Sequence, residues 1–134
     1  MRNAEFGVRA PEARESMANA RLRERTKAFS LRMISLASSL PSTPLGRVIG
    51  HQILRSGTSV GANYRAATRA KSTADFIHKM GTVEEETDEC MYWMELIVEA
   101  GLMGQEKLSD LYREADEVLA MVVASIRTAK TRKQ

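Results

Sequence analysis

Few residues in this chain of 134 have the type and spacing that catalysis needs. Gly57, Ser59 and Gly61 match the Gly-x-Ser-x-Gly pattern of a nucleophile elbow, which requires a strand before the serine and a helix after it. The match lies inside a helical pattern, so we interpret it as accidental. Cys90, the one cysteine, falls on an apolar helical face with no base within a turn of it. This favours a buried structural thiol over a nucleophile, and a reducing compartment over a disulfide framework.

Histidine occurs only at His51 and His78. Asp75 and His78 have the i, i+3 spacing of a carboxylate–histidine ligand pair, but a di-metal bundle needs two such pairs and two further inward carboxylates. We therefore expect no catalytic residue, no metal and no cofactor, and we predict that the chain is not an enzyme. The alternative is a metal-dependent bundle enzyme that uses His78, Glu84 and Asp88.

The elements that would position these residues are helices. Apolar residues recur at helical spacing along four segments, two prolines mark a loop at residues 40–45, Ser72 or Thr73 caps the third helix, and Gly101 ends it. No segment alternates with period two. The pattern predicts an all-α, antiparallel up-down-up-down four-helix bundle at residues 16–130, with a flexible leader at 1–15 and a basic tail at 131–134.

The apolar stripes identify the core. The predicted core positions are Leu22, Phe29, Met33, Leu36, Ala37, Leu40, Leu45, Ile49, Ile53, Val60, Ala67, Phe76, Met80, Val83, Thr87, Cys90, Met91, Met94, Ile97, Val98, Leu108, Leu111, Tyr112, Ala115, Leu119, Val122 and Ile126. Three polar residues interrupt the stripe of the second helix: Gln52, Ser56 and Asn63. Buried amides and hydroxyls need partners, so we expect a network that fixes helix register, with a small-molecule pocket as the alternative. The candidate partners are Glu84, Thr87 and Tyr112.

Charge is distributed unevenly along the chain. The net charge is only +3, but residues 80–100 hold seven acids and no base, and residues 47–79 hold six bases and one acid. These segments belong to neighbouring helices. Their charges therefore either pair across the seam between the helices, or the basic side of the second helix faces phosphate.

The third helix has more apolar surface than one core stripe needs. Tyr92 and Leu96 lie opposite the core stripe and Trp93 lies on its flank, so a monomer would expose them. The second helix has a groove of small residues away from its own core stripe. We predict a self-association interface that comprises Leu54, Gly57, Gly61, Tyr92, Trp93 and Leu96. The alternative is that Trp93 packs at the edge of the core and the glycines are incidental.

Three stretches resemble one protein family. They are residues 52–72 (QILRSGTSVGANYRAATRAKS), 74–82 (ADFIHKMGT) and 84–96 (EEETDECMYWMEL), and their order and spacing are similar to those of the ribosomal RNA intervening-sequence proteins. The resemblance covers about residues 25–128. Many members have a Glu-Gly pair where this chain has Ala66 and Ala67, so any role of that glutamate is missing here.

The resemblance implies a cytoplasmic four-helix bundle that forms a homo-oligomer, with a pentameric ring as the expected assembly. Some members are encoded within the large-subunit ribosomal RNA gene and others by free-standing genes. A more distant relative, the accessory protein of diversity-generating retroelements, binds nucleic acid and a reverse transcriptase. We therefore expect a non-enzymatic interaction module without membrane contact that binds structured RNA or DNA, with a reverse transcriptase or RNA-processing factor as a possible protein client. The alternative is a protein-binding scaffold or adaptor with no nucleic-acid role.

If RNA binds, its phosphates are expected to meet the basic residues of the second helix and of the tail. The candidate contacts are Arg55, Arg65, Arg69, Lys71, Lys130, Arg132 and Lys133. No aromatic residues alternate with these bases, so recognition of backbone or shape is favoured over base stacking.

Overall fold

The computed structural model describes the backbone of residues 13–132 and the side chains of residues 21–132. These residues form four helices in the order α1 (Ala13–Ser38), α2 (Pro44–Thr68), α3 (Thr73–Glu99) and α4 (Gln105–Thr131). The predicted all-α four-helix bundle is confirmed. Residues 1–12 of the predicted leader, and Lys133 in the predicted tail, lie outside the described residues.

Side chains fix where the helices begin. Thr43 caps α2 by accepting a hydrogen bond from the backbone N–H of Gly46, and Pro44 follows at a position where its missing N–H costs nothing. Ser72, and not Thr73, caps α3, since its Oγ accepts from the N–H of Asp75 at 3.0 Å. Gly101 takes a left-handed φ of 76° and allows the chain to leave α3.

The core is built mainly from the predicted stripes, and the largest differences concern Leu45, Tyr64 and Val118. Leu45 is 48% exposed, because it lies on the first turn of α2 on the outer side of the bundle. Tyr64 and Val118 were not predicted to be core residues, but both are fully buried. Burial raises the pKa of Tyr64 to about 12. The remaining stripe residues are buried or pack half-buried against the core.

The helices α1 and α2 approach closely at two glycines. The space beside Gly57 is filled by the side chain of Met33, and a Cβ on Gly61 would lie 2.9 Å from Oγ of Ser30. Ser30 reinforces the approach because its Oγ donates to the carbonyl of Gly57 and accepts from the N–H of Gly61. The space beside Gly57 and Gly61 is therefore occupied within the chain, which disfavours the predicted groove for another copy. The small residues receive α1 of the same chain.

The helices pack in a closed cycle in which each contacts its two neighbours and α1 meets α4 most sparsely. An ion-pair cluster reinforces that sparse seam. The guanidinium of Arg25 donates to Glu114 at 2.7 and 3.0 Å and to Glu117 at 2.8 Å. None of the helices formed by residues 13–132 is long and apolar enough to cross a membrane.

Candidate nucleic-acid interface

The antiparallel topology gathers basic residues at one end of the bundle. The first turns of α1, the last turns of α2 and the last turns of α4 all lie at this end, which we call the basic end. Exposed cations lie between the middle of the bundle, at Lys27, and this end: Arg21, Arg23, Lys27, Arg65, Arg69, Lys71, Arg127, Lys130 and Arg132. The α1 cations were not predicted to belong to this surface, because they come close to those of α2 only through the reversal of the chain between the two helices.

Three of these cations follow the seam between α1 and α2. The backbone of Lys27 lies beside Gly61, and Arg65 follows Gly61 by one turn on the same face of α2. Arg23 lies one turn before Lys27 and acts electrostatically on Tyr64. Among the side chains that the structure describes, none of these three cations pairs with a carboxylate within 4.0 Å. The α1–α2 seam therefore presents available positive charge.

The connection between α2 and α3 carries Arg69 and Lys71, which are exposed. The backbone N–H of Lys71 donates to Asp75, whose carboxylate also accepts from Lys79 at 2.7 and 2.8 Å. The hydrogen bonds from Lys79 and then from Lys71 hold the pKa of Asp75 below its usual range. Asp75 is thus a structural anion at the α3 N-terminus, where it also meets the helix dipole favourably.

Arg55 does not belong to this surface. Its guanidinium donates to Gln52 on its own helix and to Glu86 and Glu89 on α3. These carboxylates already neutralise Arg55, which disfavours its predicted contact with phosphate. Here the alternative interpretation, in which the basic and acidic helices pair across their seam, is correct.

The C-terminal turn of α4 places Lys130 at the basic end, level with the start of α1. Lys130 is exposed, and Arg132 lies exposed at the C-cap of α4. Arg25 on α1 pairs with Glu117 on α4, so these two residues lie at the same level of the bundle. Ala13 precedes Arg25 by about as many residues as Lys130 follows Glu117, so Ala13 and Lys130 are also level. The α4 cations therefore lie beyond Arg21 and Arg23, at the level of the first turns of α1.

The polar residues of α2 bond mainly to their own helix, and Ser56 also contacts α3. Ser56 is buried, donates to the carbonyl of Gln52 and accepts from Cys90 at 3.6 Å. The side-chain amide of Asn63 donates to the carbonyl of Ser59. The prediction that Glu84, Thr87 and Tyr112 are the partners of these polar residues is wrong. Tyr112 instead donates from its hydroxyl to Glu95, and Thr87 donates to the carbonyl of Val83 on its own helix.

The residues singled out for enzyme chemistry are not assembled into a site. Ser59 lies within α2, so the strand that a nucleophile elbow needs is missing at this point. His78 is exposed, and Glu84 and Asp88 line a shallow hollow with Glu85. Within residues 21–132, no group of three His, Cys, Asp or Glu side chains is placed to hold a metal ion. Burial raises the pKa of Cys90 to about 12, so its thiol is not an activated nucleophile.

Two exposed apolar patches flank α2. The first lies at the outer edge of the α1–α2 seam and contains Leu31, Ile34 and Leu54. Leu54 precedes Gly61 by two turns and Ile34 follows Lys27 by two turns. Because Gly61 and Lys27 meet across the seam, Leu54 and Ile34 lie on facing sides of it. We call this set the α1–α2 patch.

The second patch, which we call the α2–α3 patch, contains Leu45, Val48 and the aromatic part of α3. Val48 precedes Arg55 by two turns and Leu96 follows Glu89 by two turns. Since Arg55 pairs with Glu89, Val48 and Leu96 lie on facing sides of the same seam. Val48 is 61% exposed and Leu96 is half-buried, so the seam is apolar where it reaches the surface.

Trp93 and Tyr92 differ in burial. The indole of Trp93 packs half-buried against the core and donates to Glu89 at 2.9 Å. Tyr92 is 52% exposed and contacts Trp93 edge to face, with ring centroids 5.2 Å apart. Trp93 therefore packs at the edge of the core, as the alternative interpretation holds, whereas Tyr92 remains an exposed aromatic ring.

Comparison with known proteins identifies a family and a structural relative. The family model described as 23S rRNA-intervening sequence protein matches residues 19–124. The crystal structure of a protein of unknown function from the S23 ribosomal protein family of Bacteroides thetaiotaomicron superposes with a TM-score of 0.78 and 31% sequence identity. That alignment covers 82% of this chain and 98% of the other. A search among curated proteins finds no significant match.

Proposed function

This chain belongs to the family of 23S rRNA-intervening sequence proteins, and we propose that it is a non-enzymatic, homo-oligomeric module that binds structured RNA through its basic end. The observation that carries the proposal is the convergence of exposed cations from α1, α2 and α4 on one end of the bundle. A net charge of +3 would attract RNA only weakly if it were spread evenly. Concentration of the bases on one surface produces a local positive potential.

Contact with the sugar–phosphate backbone fits this surface better than reading of base sequence does. The basic residues lie on the outer sides of rigid helices. Tyr92, which is the most exposed aromatic ring among the described residues, lies on the distant half of α3. Stacking on exposed rings is the usual means of reading unpaired bases. We therefore propose recognition of phosphates on a folded RNA.

Self-association would multiply the basic surface. The α1–α2 patch and the α2–α3 patch lie on different sides of α2, so contact between unlike patches of two copies is heterologous. Heterologous contacts close into rings when the rotation between subunits is suitable. A ring places several basic ends in one assembly, and simultaneous contact raises the apparent affinity well above that of one subunit. We propose a pentameric ring, as the family resemblance implies.

Salt-dependent RNA titration tests the nucleic-acid proposal. The paired variant Arg65→Gln, Arg69→Gln is expected to weaken binding and to flatten the plot of log K against log salt by about one per lost phosphate contact. The matched control Arg47→Gln, Arg55→Gln removes the same charge from the same helix away from the basic end. Binding that is absent at low salt, or weakened equally by both pairs, would contradict the proposal.

Native mass measurement tests self-association separately. Tyr92→Glu is expected to reduce the assembly to smaller species while circular dichroism stays helical, because Tyr92 is exposed in the single chain. It is a sharper test than Trp93→Glu, since Trp93 also packs against the core. Ala124→Glu, at an exposed position of α4, is the control. An unchanged mass in Tyr92→Glu would rule out the α2–α3 patch as the interface.

A further inference from the structure

A groove lies at the end of the bundle opposite the basic end. It runs between the last turns of α3 and the first half of α4 and has a volume of about 520 Å³. Its apolar lining comprises Met94, Val98, Leu108 and the ring of Tyr112. Met94 and Leu108 are buried, so Val98 and Tyr112 supply the accessible apolar surface. This volume accommodates one large side chain and its flanking backbone.

The rim of the groove is acidic. Glu95, Glu99 and Asp116 line it, and all three are exposed. Arg113 is the one base among the lining residues, and its guanidinium donates to Asp110 at 3.2 Å. Glu99 is also the last residue of α3, where the helix dipole adds partial negative charge. The groove therefore combines an apolar floor with a negative rim.

A hydrogen bond fixes the ring of Tyr112 in the groove. The hydroxyl of Tyr112 on α4 donates to Glu95 on α3 at 2.6 Å, so it joins the two walls. This bond raises the pKa of Tyr112 to about 12, and the negative charges of Asp116 and Asp88 act in the same direction. An orientated tyrosine ring beside several carboxylates is a favourable neighbour for a cation.

We propose that this groove binds an arginine side chain from a basic segment of a protein partner. An aliphatic stem would cover Val98 and Tyr112, and a guanidinium would reach the carboxylates of Glu99 and Asp116. Arginine fits better than lysine, because its planar head forms paired hydrogen bonds with carboxylates and stacks on an aromatic ring. RNA does not fit this groove, since its phosphates would meet the acidic rim.

The proposed groove is independent of the proposed RNA surface. Arg65 and Arg69 lie at the end of α2, whereas Glu99 and Asp116 belong to the other half of the bundle. Loss of one activity should therefore leave the other intact. One protomer can then contact RNA at one end and a basic protein at the other.

The test uses a peptide as the probe for the unidentified partner. Fluorescein-labelled Gly-Leu-Arg-Leu-Arg-Gly amide is titrated into the full chain by anisotropy, beside the same peptide with citrulline in place of both arginines. Citrulline keeps the shape of arginine and removes its charge. We expect the arginine peptide to bind at least about tenfold more tightly than the citrulline peptide, as the loss of charge-assisted hydrogen bonds implies. Equal binding of the two peptides would overturn the proposal.

Paired variants then locate the binding site. Glu99→Gln with Asp116→Asn is expected to weaken arginine-peptide binding by about tenfold or more. Glu24→Gln with Glu85→Gln removes the same charge at exposed positions outside the groove and should leave the affinity within about twofold of the parent. Amide NMR shifts on peptide addition are expected at Val98 and Tyr112. Equal losses in both paired variants, or shifts confined to other residues, would contradict the site.

Discussion

The side chain of Met33 fills the space where any residue other than glycine at position 57 would place its Cβ. A methyl group there would lie 2.9 Å from Cγ of Met33 and closer still to its Cβ. Both residues are buried in the α1–α2 seam. Gly57 therefore allows close packing of two helices of one chain, and the helix propensity that it loses relative to alanine is the cost of that approach.

Gly57→Ala is expected to lower the free energy of unfolding. Overpacking of this kind costs about 1–3 kcal/mol, and the better helix propensity of alanine offsets about 1 kcal/mol of it. Urea denaturation followed by circular dichroism measures the difference. A variant as stable as the parent would show that the seam relaxes freely around Met33.

Gly81→Ala is the matched control on α3. No neighbour lies within 4 Å of a Cβ at this position, so the substitution introduces no clash. Its free energy of unfolding should rise by up to about 1 kcal/mol, from helix propensity alone. If the free energy of unfolding falls in Gly57→Ala and rises in Gly81→Ala, the loss at position 57 is due to packing and not to helix propensity.

Ser72 provides a second prediction, on the start of α3. Its Oγ accepts from the N–H of Asp75, and Ser72→Ala leaves that N–H without this partner. We expect a loss of about 1 kcal/mol in the free energy of unfolding. Thr73→Ala should have little effect, because Thr73 is exposed and the capping bond belongs to Ser72. Equal losses in the two variants would contradict this assignment of the cap.

Much of the fold follows from the sequence because helical periodicity is a local property. The stripes around Phe29, Met80 and Val122 predict their burial correctly, since residues three and four apart share a face in any helix. Tyr64 was not predicted, although it follows Val60 by one turn and therefore shares its buried face.

The candidate site depended on information that one helix does not contain. Gly57 and Gly61 suggested a close helix neighbour, but periodicity does not say whether that neighbour is in the same chain. Arg55 and Arg65 have the same residue type and lie on the same helix, yet only Arg55 is level with the acids of α3. Register between helices therefore distinguishes a structural arginine from an available one.

Cys90 provides a prediction on reactivity and pH. Because the thiol is buried with a pKa of about 12, a disulfide reagent at pH 8 should label the native protein at least about a hundredfold more slowly than the urea-unfolded chain. No other thiol contributes to the signal, since the chain has a single cysteine. Rapid labelling of the native protein would contradict the buried position.

The same thiol makes stability depend on alkaline pH. The unfolded thiol loses its proton near pH 9.0 and the folded one near 12, so between these values the unfolded chain binds fewer protons. The free energy of unfolding should therefore fall as pH rises through this window, by at most about 1.4 kcal/mol per pH unit. Cys90→Ala removes this contribution, and its stability should fall less steeply than that of the parent between pH 9 and 11. If the stability of the variant and of the parent falls equally steeply with pH, the loss does not come from Cys90.

Arg25 provides the last prediction, on the seam between α1 and α4. Its guanidinium forms a two-pronged contact with Glu114 and a third bond with Glu117, and these carboxylates raise its pKa. Arg25→Gln should lower the free energy of unfolding by about 1–2 kcal/mol, because a paired, charge-assisted contact is lost where the helices meet most sparsely. Arg32→Gln is the matched control on α1, since its contact with Asp110 is 3.5 Å long and exposed and is worth at most about 0.5 kcal/mol. A double-mutant cycle of Arg25→Gln with Glu114→Gln isolates the pair, and its coupling should shrink in high salt. A coupling near zero at low salt would mean that apolar contacts alone close the bundle.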